Sequence, residues 1–153
     1  MYERILIPTD GSDVAESAVE HALDLAEKYD AEVHALYVVD IDSVHLSLGT
    51  EQVDRLKQGR FGEMGELKEK ADEATGAVAE RGAERDVDVV EHVSGGRPHK
   101  VIADYADDHD VDLIVMGSHG RAGVRRALLG SVTERTLRST HVPVLVVDYL
   151  EED

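Results

Sequence analysis

Residues Leu113-Ile114-Val115-Met116 form a short run without a polar side chain, the pattern of a strand buried on both faces of a parallel sheet. Such a strand needs helices above and below it, and other β-branched runs in the chain do alternate with helical patterns. Strands are predicted over Arg4 to Pro8, Glu32 to Asp40, Val87 to Ser94, Leu113 to Gly117 and Val144 to Asp148. The expected class is therefore α/β: a single doubly wound, five-stranded, mainly parallel sheet with helices on both faces.

Helical spacing supports the same reading. Ala15, Ala18, Val19, Ala22, Leu25, Ala26 and Tyr29 recur on one face, and Asp13 with Glu16 three residues later suggests an N-terminal box. A second pattern through Phe61, Met64, Leu67, Ala71, Ala74 and Val78 is expected to end near Gly82 in a left-handed cap. A third carries Val101, Ile102, Tyr105, Ala106 and His109 after Pro98, and a fourth opens at Ser131 and stops before Pro143. The whole chain, 1–153, reads as one domain. Ile41 to Gly59 is longer than most connections in such folds and is expected to be a cover or an added helix.

Composition narrows the function. The 153 residues hold 33 acidic and 16 basic side chains, a formal net charge of -17. That charge repels nucleic acid and anionic lipid, so neither is expected as a partner. With five lysines among the 16 basic residues, the balance resembles adaptation to a salt-rich cytoplasm, where folding should strengthen with salt. No apolar run approaches the roughly 20 residues that span a bilayer, and no signal peptide precedes the first strand. A soluble, cytoplasmic protein is expected. Without cysteine there is no disulfide or thiolate site. The eight histidines show no H-x-x-x-H spacing, so no metal site is expected from them. P-loop, G-x-G-x-x-G and G-x-S-x-G motifs are absent. Ser94-Gly95-Gly96 reads as the turn between the third strand and its helix.

The acidic chain reverses sign locally where Arg121, Arg125 and Arg126 cluster after the fourth strand, between Gly117 and Gly130-Ser131. A loop from the carboxyl end of a buried strand to a helix N-terminus gathers unpaired N–H groups and the positive end of the helix dipole, which favours an anion. The segment reads as a phosphate-binding loop. The alternative is that the arginines are simply solvated.

The spacing Gly117-x2-Gly120-x9-Gly130-Ser131 resembles the nucleotide motif of the ATP-binding branch of the universal stress protein family. Ile5-Leu6-Ile7-Pro8-Thr9-Asp10-Gly11-Ser12, Tyr37-Val38-Val39-Asp40 and Val142-Pro143-Val144-Leu145-Val146-Val147 resemble the family's first, second and last strands. The resemblance implies a Rossmann-like sheet of strand order 3-2-1-4-5 and ATP, with Mg2+, as ligand. By position, Pro8, Thr9 and Asp10 flank the nucleotide, with Asp10 near ribose or metal, and Val38 meets adenine through its backbone. Met116, Gly117, Ser118, His119, Gly120, Arg121, Gly130, Ser131, Val132 and Thr133 complete the nucleotide site, with the loop taking the phosphates and the Ser131 hydroxyl and the Val132 and Thr133 amides the terminal ones. Asp10 could instead cap a turn with Gly11 and Ser12, and Ser131 could serve as the N-cap of its helix, accepting from Glu134. Glu134 itself is an unfavourable neighbour for phosphate unless it turns outward.

The implied role is a nucleotide-dependent switch or sensor in stress response, a homodimer through Val144 to Val147, acting on a further protein. Two alternatives are a slow ATP hydrolase or phosphotransferase using Asp10 or His119, and a dimerising module that no longer binds nucleotide.

Overall fold

The computed structural model describes residues 2–40, 65–119 and 129–148. Among them lie β1 (Arg4–Pro8), α1 (Asp13–Tyr29), β2 (Glu32–Asp40), α2 (Gly65–Ala83), β3 (Val89–Gly96), α3 (Pro98–Asp108), β4 (Leu113–Gly117), α4 (Ser131–Ser139) and β5 (Val144–Val147). The strands form one sheet of order β3-β2-β1-β4-β5, every pair parallel. The expected topology is the one observed. β3 begins two residues later than its pattern suggested and runs on to Gly96, and β5 ends at Val147. The second helix holds Leu67 to Val78 as expected; Phe61, Met64, Ile41 to Gly59 and the acidic end Glu151-Glu152-Asp153 lie outside the described residues.

Alternate residues of the buried strands feed two cores. Ile5, Ile7, Val33, Ala35, Leu113 and Val115 pack under Ala18, Val19, Ala22 and Leu23 of α1 and Val78 of α2. Leu6, Leu36, Ile114 and Met116 pack under Ile102, Tyr105 and Ala106 of α3. Burying such side chains stabilises the fold by about 1.5–3 kcal/mol each relative to exposure, and it fixes which helix covers which face. α3 also packs against α4.

Helix ends show a regularity that the sequence pattern did not reveal. Asp30, Asp86 and Asp110 all adopt left-handed backbone, with φ of 55, 56 and 52°. In each case the following amide bonds back five residues: Ala31 to the Ala26 carbonyl, Val87 to Gly82 and Val111 to Ala106, at 2.9, 2.8 and 2.9 Å. This is the Schellman arrangement, and Ala31, Val87 and Val111 bury the apolar contact that accompanies it. One device thus turns α1, α2 and α3 toward β2, β3 and β4.

Three local expectations need correction. Gly82 is not the left-handed cap; Asp86 is. A Cβ on Gly82 would lie 2.5 Å from Cγ2 of Val89 and 3.1 Å from the Val87 carbonyl oxygen, so the glycine serves close packing of α2 on the start of β3. Asp13 is not the N-cap of α1, because Ser12 takes that position and its hydroxyl accepts from the Ala15 amide at 3.3 Å. Ser131 is the first helical residue of α4, and the N-cap is Gly130. The two N-cap errors are one residue each, within the usual variation of a helix boundary, whereas the C-terminal cap lies four residues beyond Gly82. No helix among the described residues is long and apolar enough to cross a membrane.

Candidate functional site

The chain leaves β1 toward β2 on one side and, through β4, toward β5 on the other. In an open parallel sheet this reversal opens a crevice at the carboxyl ends of the central strands. β1 and β4 are neighbours there, so Pro8-Thr9-Asp10 and Gly117-Ser118-His119 leave the sheet side by side.

The β1 exit is a tight, internally bonded turn. The amide of buried Thr9 donates to the Leu36 carbonyl of β2 at 2.9 Å, and its hydroxyl accepts from Gly11 at 3.2 Å. Oδ1 of Asp10 accepts from the Ser12 amide at 2.9 Å, and Gly11 supplies the φ of 79° that the turn requires. The turn reading of Asp10 holds for this oxygen. Val38 sits on β2 opposite Ser94 of β3, half-buried against the α3 face of the core.

The β4 exit is tied at several points. Met116 is buried within β4 beside Val146 of β5. A Cβ on Gly117 would stand 2.4 Å from Cγ1 of Val14, so this first glycine of the motif lets α1 approach the strand end. The buried Ser118 donates its amide to the Val147 carbonyl at 2.8 Å and its hydroxyl to Oδ1 of Asp148 at 2.7 Å. His119 Nδ1 lies 3.2 Å from the same hydroxyl. The Gly130 amide closes the segment onto the Ser118 carbonyl at 2.7 Å, and a Cβ on Gly130 would lie 3.0 Å from Cα of His119.

α4 starts from that closure. Gly130 is its N-cap, with extended backbone and no side-chain cap bond. Intrahelical acceptors do not reach the first-turn N–H groups, which fall on Ser131, Val132 and Thr133. Thr133 is buried and gives its hydroxyl to the Gly117 carbonyl at 2.8 Å, while Val132 packs on the α3-side core. The side chains of these two residues are therefore structural, leaving their amides and Ser131 for a ligand. Glu134 turns outward to Arg138, 2.9 Å away on the exposed face, which removes the objection that its charge raised.

Of the residues expected at the site, Pro8, Thr9, Asp10, Met116, Gly117, Ser118, His119, Gly130, Ser131, Val132 and Thr133 gather around the β1 and β4 exits, with Val38 on the adjoining strand. Gly120, Arg121, Arg125 and Arg126 lie outside the described residues. Sequence reasoning placed Ser12 in the Asp10 turn but missed its role as N-cap of α1, and it missed the bond of Asp148 to Ser118. The signal for Ser12 was its place directly before the acidic first turn; Asp148 carried none, because its bond to Ser118 spans 30 positions.

Fold and site together define a Rossmann-like α/β domain in which a glycine-spaced connection links β4 to α4 at the reversal point of the sheet. The chain belongs to the universal stress protein family, whose model matches residues 1–148. It is 42% identical over 148 residues to a universal stress protein of Methanocaldococcus jannaschii, covering 96% of this chain and 82% of that one. A second protein of that organism is 34% identical, and its solved structure superposes with a TM-score of 0.76 over 99% of both chains. A universal stress protein of Archaeoglobus fulgidus, solved in complex with dAMP, shares the fold at 21% identity and a TM-score of 0.68, over 95% of this chain and 98% of that one.

Proposed function

We propose that this universal stress protein binds ATP with Mg2+ at the β1 and β4 exits and acts as a nucleotide-dependent switch in stress response. The observation that carries the reading is the start of α4. Its first turn lacks a side-chain cap, it follows the complete glycine spacing, and it is tied to the end of β4 through Gly130 and Thr133. The triphosphate would accept from the amides of Ser131, Val132 and Thr133 and from the Ser131 hydroxyl, where the helix dipole favours negative charge. Adenine would lie against the Val38 backbone and ribose near Asp10. The Archaeoglobus relative solved in complex with dAMP supports a nucleotide as the ligand.

ATP bound at the start of α4 would alter a surface offered to another protein. Dimerisation through Val144 to Val147 suits the edge strand, where Leu145 is exposed and would otherwise invite other strands. A cytoplasmic protein fits these roles.

Calorimetric titration of ATP and Mg2+ into the protein in molar KCl tests the reading. Binding with a Kd on the order of micromolar, lost in Gly120→Val and weakened in Ser131→Ala, is expected. A folded parent that takes up no nucleotide would make the chain a dimerising module instead. Phosphate release that Asp10→Asn abolishes would make it a slow hydrolase.

A further inference from the structure

On the face of the sheet covered by α3, four aromatic side chains from three elements meet. His34 comes from β2, His92 from β3, Tyr105 from α3, and His109 from the C-cap of that helix. Tyr105 stacks on His109 with ring centroids 3.8 Å apart and planes 15° from parallel. His92 lies 5.2 Å from Tyr105 and 6.5 Å from His109; His34 lies 5.6 Å from Tyr105 and 5.8 Å from His109. The proposed nucleotide site uses none of these side chains.

Both ring nitrogens of the buried member have a partner. His34 Nδ1 is 2.6 Å from the Tyr105 hydroxyl and Nε2 is 2.6 Å from Oε1 of Glu32. The carboxylate can only accept, so Nε2 carries the proton and donates to it, and Nδ1 accepts from the Tyr105 O–H. Every group is satisfied when His34 is neutral. A second proton, on Nδ1, would turn the Tyr105 hydroxyl from donor to acceptor and leave its own hydrogen without this buried partner, which is costly.

The other two histidines are exposed enough to exchange protons with water. A charge on His109 rests on the Tyr105 ring face, a favourable cation–π arrangement. A charge on His92 is opposed first by burial, then by a charge on His109 across the contact between β3 and α3, and by His34. Among the described residues, the titratable groups shown to act on His92, Tyr105 or His34 at this contact are Glu32 and His34 from β2, His92 from β3, and Tyr105 and His109 from α3. Glu32 is already bound to His34.

We infer that the His34, His92, Tyr105 and His109 cluster is a proton-operated latch, which holds α3 on the sheet at neutral pH and loosens it when His92 and His109 are both charged. α3 packs on α4, so loosening would reach the first turn of that helix. That last link rests on the proposed nucleotide function; the latch itself does not.

Amide hydrogen exchange of the full chain, corrected for the intrinsic effect of pH, tests the latch between about pH 7.5 and pH 5, where imidazole titrates. Residues 102–106 of α3 should open on the order of tenfold more often at the acid end, the scale of one like-charge contact near a surface. α2, which has no histidine, serves as the reference and should change little. His92→Gln and, separately, His109→Gln should each remove most of the acid response while leaving neutral protection within about twofold. Two results would overturn the latch: α3 protection that does not depend on pH in the parent, or an acid response that survives both substitutions. Should one variant fail to fold, the other still decides, and the imidazole proton shifts of the parent read the titration order directly.

Discussion

The hydroxyl of Thr133 donates to the carbonyl of Gly117 at 2.8 Å inside the protein, tying the first turn of α4 to the end of β4. The bond sets where the α4 amides stand relative to the sheet. Thr133→Val keeps the shape and removes the donor, leaving a carbonyl without this partner. A loss of about 1–3 kcal/mol in urea unfolding is expected, together with weaker nucleotide uptake. Unchanged stability would mean that water replaces the hydroxyl.

Gly117 is also pressed from the other face. Because a Cβ would stand 2.4 Å from Cγ1 and 3.3 Å from the backbone carbon of Val14, Gly117→Ala must push α1 away. The expected cost is about 1–3 kcal/mol, typical of overpacking. Val14→Ala in the same chain should recover part of it, and a double-mutant cycle by chemical denaturation measures the coupling. Additive effects would show that the strain lies elsewhere.

The left-handed Asp86 after α2 predicts a gain. Glycine adopts φ of 56° without the Cβ penalty, so Asp86→Gly should raise stability by a few tenths to about 1 kcal/mol. Asp86→Val should lower it, because a β-branched side chain tolerates that backbone poorly. Thermal midpoints of the two variants should fall on opposite sides of the parent.

Two groups contribute to the pH dependence of stability with a known sign. Burial, then the neighbouring His109 and His34, hold His92 below its ordinary pKa of 6.5. The unfolded chain therefore binds that proton first, and its contribution is complete above about pH 6.5 and declines as pH falls through that value. Burial, with the Glu32 charge adding to it, pushes the Tyr105 phenol above its ordinary 10.0. Here the unfolded chain ionises first, so stability is complete below about pH 10 and falls above it. Denaturation midpoints across pH should show both shoulders, the acid one reduced in His92→Gln.

Much of the fold was legible because periodicity is a local property. Leu113 to Met116 could be read as a doubly buried strand from its unbroken apolar run, and Ala15 to Tyr29 as a helix from its apolar spacing. The strand order needed the family resemblance. The site was legible where it depends on spacing along the chain, as in Gly117 and Gly130. The reason for those glycines was not, since Val14 and His119 crowd them only after folding.

By itself, the sequence determined the class of fold, the acidic surface charge, and a glycine-spaced connection between a buried strand and a helix. All three follow from composition and short-range order. The tertiary structure decided which side chains meet across the sheet. It brought Ser118 to Asp148, Thr133 to Gly117, and His34 to Tyr105 over 71 positions. Such contacts depend on strand register and on which helix covers which face, and those are settled by packing two cores at once rather than by any one segment.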